Sequence, residues 1–487
     1  MVDTDPHGAD ERSGVSRRRF VQAAGASGVA AGVAGCLGGG GDDDENVVQI
    51  SADQDFADIS DDIEEALHEA GLDEEISIEV LPGDFETDSR QASYSQALDA
   101  GRSEPDIFMM DSGWTIPFIV REHLDNLTET LSDDVIDYVE SDYLGASVDT
   151  ARHPETGDLY GLPLFPDYPV MQYRKDLVEE AGFDPEGENW ATEPMSWQEF
   201  AEVVAEVWEY HGGEEEYDYG FTTQADAYEG LSCCTFNETM SSFGGAYFGG
   251  RDNLFGPIGD RPITVEEEPV LDTIRMMRSF MLGPDAENTL DGYPQITNTD
   301  IVQYTEEDAR EPFTNGNAIF HRNWPYSVVI NGAEDVFGED LGTMPMPYGI
   351  EASESDYEGL GGSRAALGGW HLTLNTYSQK KDQATQVLEA FANENVMLTL
   401  FELNGNIPPV PSVTENADPD NLGPIGRYLE TLSVSAEGAI PRPVTQIWPT
   451  QSQYVYQEVH DAYTGDKTPE DAMAELATQL EESESNA

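Results

Sequence analysis

Short apolar runs typical of β-strands alternate along this chain with amphipathic helical patterns. The runs "NVVQIS" (46–51) and "ISIEVL" (76–81) flank a helical pattern near 59–70, and "PDIFMMD" (105–111) is typical of a buried strand that ends in a carboxylate. This order predicts an α/β fold with mainly parallel sheets. Ligands of such sheets bind beyond the carboxyl ends of the strands, which makes Asp111 a candidate binding residue.

Two helices have clear start signals in the sequence. Ser196 and Glu199 form an S-x-x-E capping box, and Thr468 precedes Pro469 at a second start. Both helices are expected to be structural. A chain of 487 residues is long enough for two lobes, each with its own core.

The charge of the chain is strongly negative, with 97 acidic against 22 basic side chains and a formal net charge of −75. The acidic residues are spread along the chain, which indicates a solvated surface and not a disordered tail. At about 1 M salt the Debye length falls to about 3 Å, so salt would screen their repulsion. The composition resembles that of haloarchaeal proteins. It also argues against nucleic-acid binding, since no basic patch is present.

The first 35 residues have the order of an export signal. Three arginines, Arg17–Arg19, precede a short apolar run over 20–34, and "SRRRFV" resembles a twin-arginine motif. "VAGC" resembles a lipobox, which predicts a lipid on Cys36 followed by a flexible tether over 36–45. We therefore expect export by the twin-arginine pathway and anchoring on the outer face of the cell membrane. The alternatives are a disordered basic tail and an ordinary thiol.

The remaining cysteines are the adjacent pair Cys233 and Cys234, which excludes a disulfide framework. Small packed thiols are favoured over a strained vicinal disulfide. Zinc-ligand spacing, a G-x-S-x-G or H-E-x-x-H motif and a P-loop are all missing from the sequence. The sequence therefore predicts no metal, no cofactor and no enzymatic activity.

Aromatic residues occur beside glycine or proline, together with arginine and aspartate. They lie in four segments: "LFPDY" with Phe165 and Asp167, "NWPY" with Trp324 and Tyr326, "GGW" with Trp370, and "PRPVTQIWP" with Arg442 and Trp448. Each tryptophan could instead be a core residue. Aromatic faces with planar charged groups suit a sugar, because its C–H faces stack on rings while its hydroxyls need donors and acceptors.

These segments carry a family resemblance, together with "ALDAGRSEPDIFMMD", "MSWQEFAEVV", "YEGL" and "FTNGNAIFHRNWPY". From about residue 46 to 479 the chain resembles the ABC-transporter extracellular solute-binding proteins that take maltose, trehalose and related sugars. The resemblance implies a periplasmic-binding-protein-like (type II) α/β fold with two lobes, hinge crossings and a ligand cleft between the lobes. It places lobe I at 46–163 plus 346–374 and lobe II at 167–343 plus 377–487.

The resemblance also implies which residues contact the ligand. These are Arg90, Asp111, Phe165, Asp167, Trp324, Tyr326, Gly369, Trp370 and Arg442, with Tyr228 and Glu229 as neighbours and Trp448 as a further stacking surface. The acidic residue after the first strand is one of Asp53, Asp55 and Asp58. Phe165 stands where related sequences often carry tyrosine, and Trp448 where some carry a smaller ring.

The implied function is that of the receptor of an ABC importer. It would capture a di- or oligosaccharide of maltose or trehalose type by lobe closure and deliver it to a membrane permease with its ATPase subunits. We expect a monomer. The alternatives are a secreted glycosidase, for which a sugar cleft with carboxylates would also serve, and a binding protein for a non-sugar solute.

Overall fold

The computed structural model of the protein describes residues 46–84 and 86–487. The predicted signal segment 1–35, the lipidation site Cys36 and the tether 36–45 lie outside the described residues. Within the described part of the chain, no helix combines the length and the apolar character needed to cross a bilayer.

The strands of the described residues form two mixed sheets. Their bounds are β1 Val47–Ala52, β2 Ser77–Pro82, β3 Ile107–Asp111, β4 Gly161–Asp167, β5 Val170–Arg174, β6 Tyr219–Thr222, β7 Ala318–Asn323, β8 Leu341–Met344, β9 Ala365–Leu374 and β10 Ala439–Pro441. The first sheet has the order β10-β9-β3-β1-β2, with β4 also paired to β9, and the second has the order β6-β7-β5-β8.

The helices cover both sheets. The α-helices of the described residues are α1 Gln54–Asp58, α2 Ser60–Glu69, α3 Thr87–Asp99, α4 Thr115–Val120, α5 Leu127–Thr130, α6 Asp133–Asp142, α7 Gly145–Asp149, α8 Lys175–Ala181, α9 Trp197–Tyr210, α10 Phe236–Ser242, α11 Glu268–Leu282, α12 Glu306–Thr314, α13 Pro325–Asn331, α14 Lys381–Phe391, α15 Glu394–Asn404, α16 Pro411–Asn416, α17 Leu429–Glu437, α18 Trp448–Thr464 and α19 Pro469–Asn486. A π-helical turn, Leu231–Thr235, leads directly into α10.

The predicted helix starts and first strands are confirmed. Ser196 Oγ accepts a hydrogen bond from the Glu199 backbone N–H at 3.1 Å, and Thr468 Oγ1 accepts one from the Asp471 N–H at 3.1 Å. These contacts satisfy N–H groups that have no partner within a helix. All five residues of β3 are buried, as expected for a strand covered on both faces.

The prediction of mainly parallel sheets is wrong, because half of the strand pairings are antiparallel. β1 pairs in parallel with β2 and β3, but β9 runs antiparallel to both β3 and β4. In the second sheet β5 is antiparallel to β7 and β8. The antiparallel strand β9 enters the first sheet beside β3 and so brings Trp370 opposite Asp111.

The C-terminal third of the chain is shared between two hydrophobic cores. Leu388 of α14 and Leu400 of α15 lie in the same core as Ile50 of β1, whereas Val455 of α18 and Leu476 of α19 lie in the core of the second sheet. The prediction that assigned all of 377–487 to the second lobe therefore differs from the structure over α14 and α15. Helices of the same length and amphipathic pattern fit either core, so their sequence does not decide between the two.

Candidate ligand-binding site

A cavity lies where the chain leaves the ends of β1, β3 and β7, and it holds about 870 Å³ of space free of protein atoms, part of it open to solvent. The structure brings ten of the predicted site residues to its wall. These are Arg90, Asp111, Phe165, Asp167, Tyr228, Trp324, Tyr326, Gly369, Trp370 and Arg442. Residues from both sheets therefore line one cavity, as expected for a ligand site.

Trp448 is not among the lining residues, and its predicted stacking role is wrong. Trp448 is the first residue of α18, the proline after it lies in the first turn of that helix, and the indole has no exposed surface. Its ring centroid lies 5.6 Å from that of Tyr247 within the core of the second sheet. Trp448 stabilises the packing of α18 and has no access to a ligand in the cavity.

Asp53 and Asp55 line the cavity, whereas Asp58 does not. Asp53 Oδ1 accepts a hydrogen bond from the Phe56 N–H at 2.9 Å and thereby caps α1. Its other oxygen, Oδ2, lies 3.3 Å from Nη1 of Arg90. The loop after β1 thus contributes a carboxylate that is held in place by the start of a helix and by an arginine.

Arg90 and Trp370 form one aromatic wall of the cavity. The guanidinium carbon of Arg90 lies 3.9 Å from the centroid of the Trp370 ring. Trp370 also packs nearly perpendicular to Trp114, which is fully buried, at a centroid distance of 6.5 Å. Because a guanidinium stacks favourably on an indole, this contact holds Trp370 in one orientation.

Gly369 shapes the same wall through its backbone. Its φ is +133°, and a Cβ atom there would lie 2.7 Å from the carbonyl oxygen of Phe165. Gly369 pairs with Pro166 of β4, and that strand has a register irregularity close by, between Pro163 and Phe165. The Gly369 carbonyl accepts a hydrogen bond from the Ser112 N–H at 2.9 Å. Glycine is needed here because β4 and β9 approach so closely.

Trp324 provides a second aromatic wall and is supported by a buried ion pair. Arg322 donates two hydrogen bonds, both of 2.7 Å, to the carboxylate of Glu238. The guanidinium carbon of Arg322 lies 4.5 Å from the centroid of the Trp324 ring. Glu238 Oε2 also accepts a hydrogen bond from the Ala366 N–H at 3.0 Å, which ties this support to β9.

Arg442 forms ion pairs with two acidic residues, one at the end of β3 in the first sheet and one after β6 of the second sheet. Its Nη2 lies 2.7 Å from Asp111 Oδ1, and its Nη1 lies 3.0 Å from Glu229 Oε1. A Cβ atom on Gly113 would lie 2.6 Å from the guanidinium carbon, so the arginine needs glycine at that position. Glu229 is thus a partner of Arg442 and does not itself line the cavity.

Several carboxyl groups in the wall are easier to protonate than usual. Burial raises the pKa of Asp167 to about 8, with Asp111 and Glu306 adding to the rise and Arg322 opposing it. Burial, with Asp53 and Glu307, raises the pKa of Asp55 to about 6. Burial also raises the pKa of Glu306, which accepts a hydrogen bond from Tyr228 Oη at 2.7 Å. The wall therefore offers hydrogen-bond donors as well as acceptors at neutral pH.

Cys233 and Cys234 are joined in a vicinal disulfide, so the expectation of packed thiols is wrong. The pair lies in the π-helical turn, where both side chains point to the same cavity wall. Two sulfur atoms held side by side in this way can bond to each other, which sequence adjacency alone does not reveal. Both side chains are buried, and they pack against Trp324 and Ala366.

Other lining residues were missed by the sequence analysis. They are Thr87, Gly230, Cys233, Cys234, Glu306, Gly368, Asn404, Gly405 and Asn406. Gly405 has a φ of +71° and ends α15, a helix stop that "LNGN" signals in the sequence. Glu306 follows Thr305, whose pairing with Asp308 is a visible capping box. These signals place helix ends but do not show that the ends meet a cavity.

His321 and His371 are buried and hydrogen-bonded to threonines. His321 Nδ1 lies 2.9 Å from Thr222 Oγ1, and His371 Nε2 lies 2.8 Å from Thr150 Oγ1. Burial lowers the pKa of each imidazole to about 3. Over residues 46–84 and 86–487, no group of three or more His, Cys, Asp or Glu side chains is arranged to hold a metal ion.

The chain is similar to known solute-binding proteins. A protein of Deinococcus radiodurans described as a probable ABC transporter-binding protein is 28% identical over 313 residues, which cover 62% of this chain and 62% of that protein. The match thus spans less than two thirds of that relative's length. A solved structure of maltose-bound T. maritima MalE3 has a TM-score of 0.72 and 26% identity, covering 89% of this chain and 98% of that one.

A second solved structure supports the fold alone. An ABC transporter solute-binding protein of Thermotoga lettingae bound with α-D-tagatose has a TM-score of 0.68 and 18% identity, covering 90% of this chain and 100% of that one. The predicted two-lobed, periplasmic-binding-protein-like α/β fold is confirmed by these similarities. The family model described as bacterial extracellular solute-binding protein matches residues 60–397, and this chain therefore belongs to that family.

Proposed function

We propose that the protein is the sugar receptor of an ABC importer and that it binds a di- or oligosaccharide of maltose or trehalose type in the cavity described above. It releases the sugar unaltered to a membrane permease that works with ATPase subunits. Export by the twin-arginine pathway and a lipid on Cys36 would keep the receptor beside that permease. The protein acts as a monomer and catalyses no reaction on the sugar.

The observation that carries this proposal is the pairing of aromatic and acidic groups in one cavity. Trp324 and Trp370 offer flat apolar faces, while Asp111 and Asp167 offer oxygens close by. A sugar ring presents C–H groups on its faces and hydroxyls around its edge, so it can use both kinds of surface at once.

The protonation of the carboxyl groups favours a neutral, hydroxyl-bearing ligand. At neutral pH Asp167, with a pKa of about 8, carries a proton that it can donate to a hydroxyl oxygen. Asp111 already accepts hydrogen bonds from Gly113 and Arg442, and it retains a second oxygen for the ligand. A hydroxyl both donates and accepts, so it can satisfy either kind of group.

Closure of the two lobes would couple binding to transport. A sugar that touches groups from both sheets binds the closed form more tightly and shifts the population toward it. A shift from 1:99 to 99:1 requires about 5.5 kcal/mol of differential affinity. Trp370 and Asp111 on the first sheet, with Trp324 after β7, could supply that difference through contacts made at the same time.

A thermal-shift screen of mono-, di- and trisaccharides at multimolar salt tests the proposal. A ligand present at 100 times its Kd stabilises the native state by about 2.7 kcal/mol, so maltose or trehalose should raise the Tm. Calorimetry should then give a 1:1 stoichiometry, and the sugar should be recovered intact. A screen in which no sugar shifts the Tm would contradict the proposal. Release of glucose from either disaccharide would instead indicate a glycosidase.

A further inference from the structure

The vicinal disulfide of Cys233 and Cys234 faces the same cavity as the predicted sugar contacts. The two residues are 5% and 4% exposed, and they form a small apolar cluster with Trp324 and Ala366, against which Tyr326 packs. The cluster lies at the cavity wall and not within either of the large cores. Its apolar surface is therefore continuous with the Trp324 ring.

The turn that carries the disulfide is held at several points. Ser232, which precedes the disulfide, forms a hydrogen bond of 2.6 Å with Ser452 of α18 through its hydroxyl. The Ser232 carbonyl accepts a hydrogen bond of 2.7 Å from Tyr247 Oη. A Cβ atom at Gly230 would overlap the ring of Tyr228, so that ring lies directly over the backbone before the turn. The sulfur pair is thus presented from a fixed backbone.

We propose that this disulfide is itself a ligand-contacting element of the sugar site, which extends the apolar face of Trp324 and sets the affinity for the sugar. The proposal rests on the sugar-binding function proposed above. Disulfide sulfurs carry no hydrogen-bond donor and are highly polarisable, so they make favourable dispersion contacts with sugar C–H groups. The S–S bond also fixes both side chains before the ligand arrives, which removes an ordering cost from binding.

Reduction would change this surface without removing any residue. Two electrons and two protons convert the S–S bond into two thiols, with a phosphine or dithiol reagent as the reductant that is oxidised in turn. Each thiol then rotates independently and adds an S–H donor to an apolar wall. Fixing the two freed side chains again on binding costs conformational entropy, so the affinity should fall about tenfold.

The test compares the full-length protein in oxidised and reduced form by calorimetry with maltose and with trehalose. Mass spectrometry of the peptide that contains residues 233 and 234 establishes the redox state of each sample. We expect the oxidised protein to bind about tenfold more tightly than the phosphine-reduced protein, with the same stoichiometry. The double variant Cys233→Ala/Cys234→Ala should show the weaker affinity whether or not reductant is present, which controls for effects of the reagent elsewhere.

The outcomes separate this inference from the proposed function. Equal affinities of the oxidised and reduced protein would overturn the role of the disulfide while leaving a sugar receptor. Free thiols at positions 233 and 234 in protein purified without reductant would also overturn it. If the oxidised protein binds neither sugar, the proposed function and this inference both fail. The Tm without ligand should change little on reduction, because a loop closed between adjacent residues restricts the unfolded chain only slightly.

Discussion

Arg442 and Asp111 form a buried ion pair in which Nη2 and Oδ1 are 2.7 Å apart, and both side chains border the candidate ligand site. Asp111 ends β3, whereas Arg442 follows β10. The same guanidinium contacts Glu229 at 3.0 Å, just before the π-helical turn. Arg442 therefore contacts two buried carboxyl groups that reach it from different parts of the chain.

Removal of Arg442 should destabilise the protein strongly. The variant Arg442→Met leaves Asp111 and Glu229 buried without their cation, and breaking a buried pair costs about 3–5 kcal/mol. Denaturation in guanidinium chloride measures the loss. The control is Arg275→Met, since Arg275 pairs with the exposed carboxylates of Glu268 and Glu470. Surface pairs contribute about 0–1 kcal/mol, and equal losses in the two variants would contradict the assigned role of Arg442.

The tryptophans at 324 and 448 should respond differently to the same substitution. Trp324→Ala removes a cavity wall but leaves the ion pair of Arg322 and Glu238 in place. The affinity for the sugar should fall about thirtyfold or more, as for other buried aromatic anchors. Trp448→Ala creates a void in the core and should lower the free energy of unfolding by about 3–5 kcal/mol.

Calorimetry and chemical denaturation of both variants check this pair. The folded Trp448→Ala protein should keep the wild-type Kd because Trp448 does not reach the cavity. A wild-type affinity in Trp324→Ala would show that the sugar does not use this wall.

A methyl group at Gly369 should lower sugar affinity. Gly369→Ala forces a Cβ atom against the Phe165 carbonyl at a φ that side chains rarely adopt, so β4 and the neighbouring Trp370 must shift. We expect at least a tenfold rise in Kd with a measurable drop in Tm, as misplaced binding groups lose contacts. Gly250→Ala is the matched control, because open space surrounds that position and its φ is −70°. Its Kd and Tm should remain at the wild-type values.

His371 should contribute to acid sensitivity. Its folded pKa of about 3 lies below the usual 6.5, so the unfolded chain binds the proton first as the pH falls. The stability from this residue is complete above pH 6.5 and is lost progressively toward pH 3, by on the order of 3 kcal/mol at pH 4. In His371→Gln that part of the pH dependence should disappear in denaturation curves recorded between pH 7 and pH 4. Asp167 acts with the opposite sign but is common to both proteins, so the difference isolates His371. Identical pH profiles would contradict the prediction.

The sequence patterns predicted helix starts and strand ends well, since these depend on neighbouring residues. Ser196 and Thr468 cap helices as expected, and Asp111 ends a buried strand beside the cavity. These features follow from local hydrogen bonding and from the rule that ligands bind beyond strand ends.

Local patterns could not separate the two Trp-Pro segments. In both, the proline lies in the first turn of a helix, α13 for the proline after Trp324 and α18 for the proline after Trp448. One indole lies beside Arg322 at the cavity, whereas the other packs on Tyr247 in the core. Which of the two environments surrounds each ring is set by residues distant in sequence, so burial depends on tertiary packing that the segment itself does not encode.

The vicinal disulfide and the placement of α14 and α15 were mispredicted for the same reason. Bonding between Cys233 and Cys234 depends on the π-helical turn that presents them, and the core chosen by α14 depends on where β9 leaves the sheet. Both the disulfide and the placement of these helices depend on the three-dimensional path of the backbone. The spacing of apolar residues predicts which face of a helix is buried, but it does not predict which other element packs against that face.

Strand β9 has a mechanical consequence for the site. Near its start, Ala366 is bonded to the carboxylate that supports Trp324, and four residues later the same strand presents Trp370. An extended strand that is paired with neighbouring strands, as β9 is with β3, β4 and β10, is stiff over so short a distance. The two indoles are therefore both tied to a single strand. Under the proposed lobe closure, the separation of these two rings should change less than that of groups at the distant rims of the cleft.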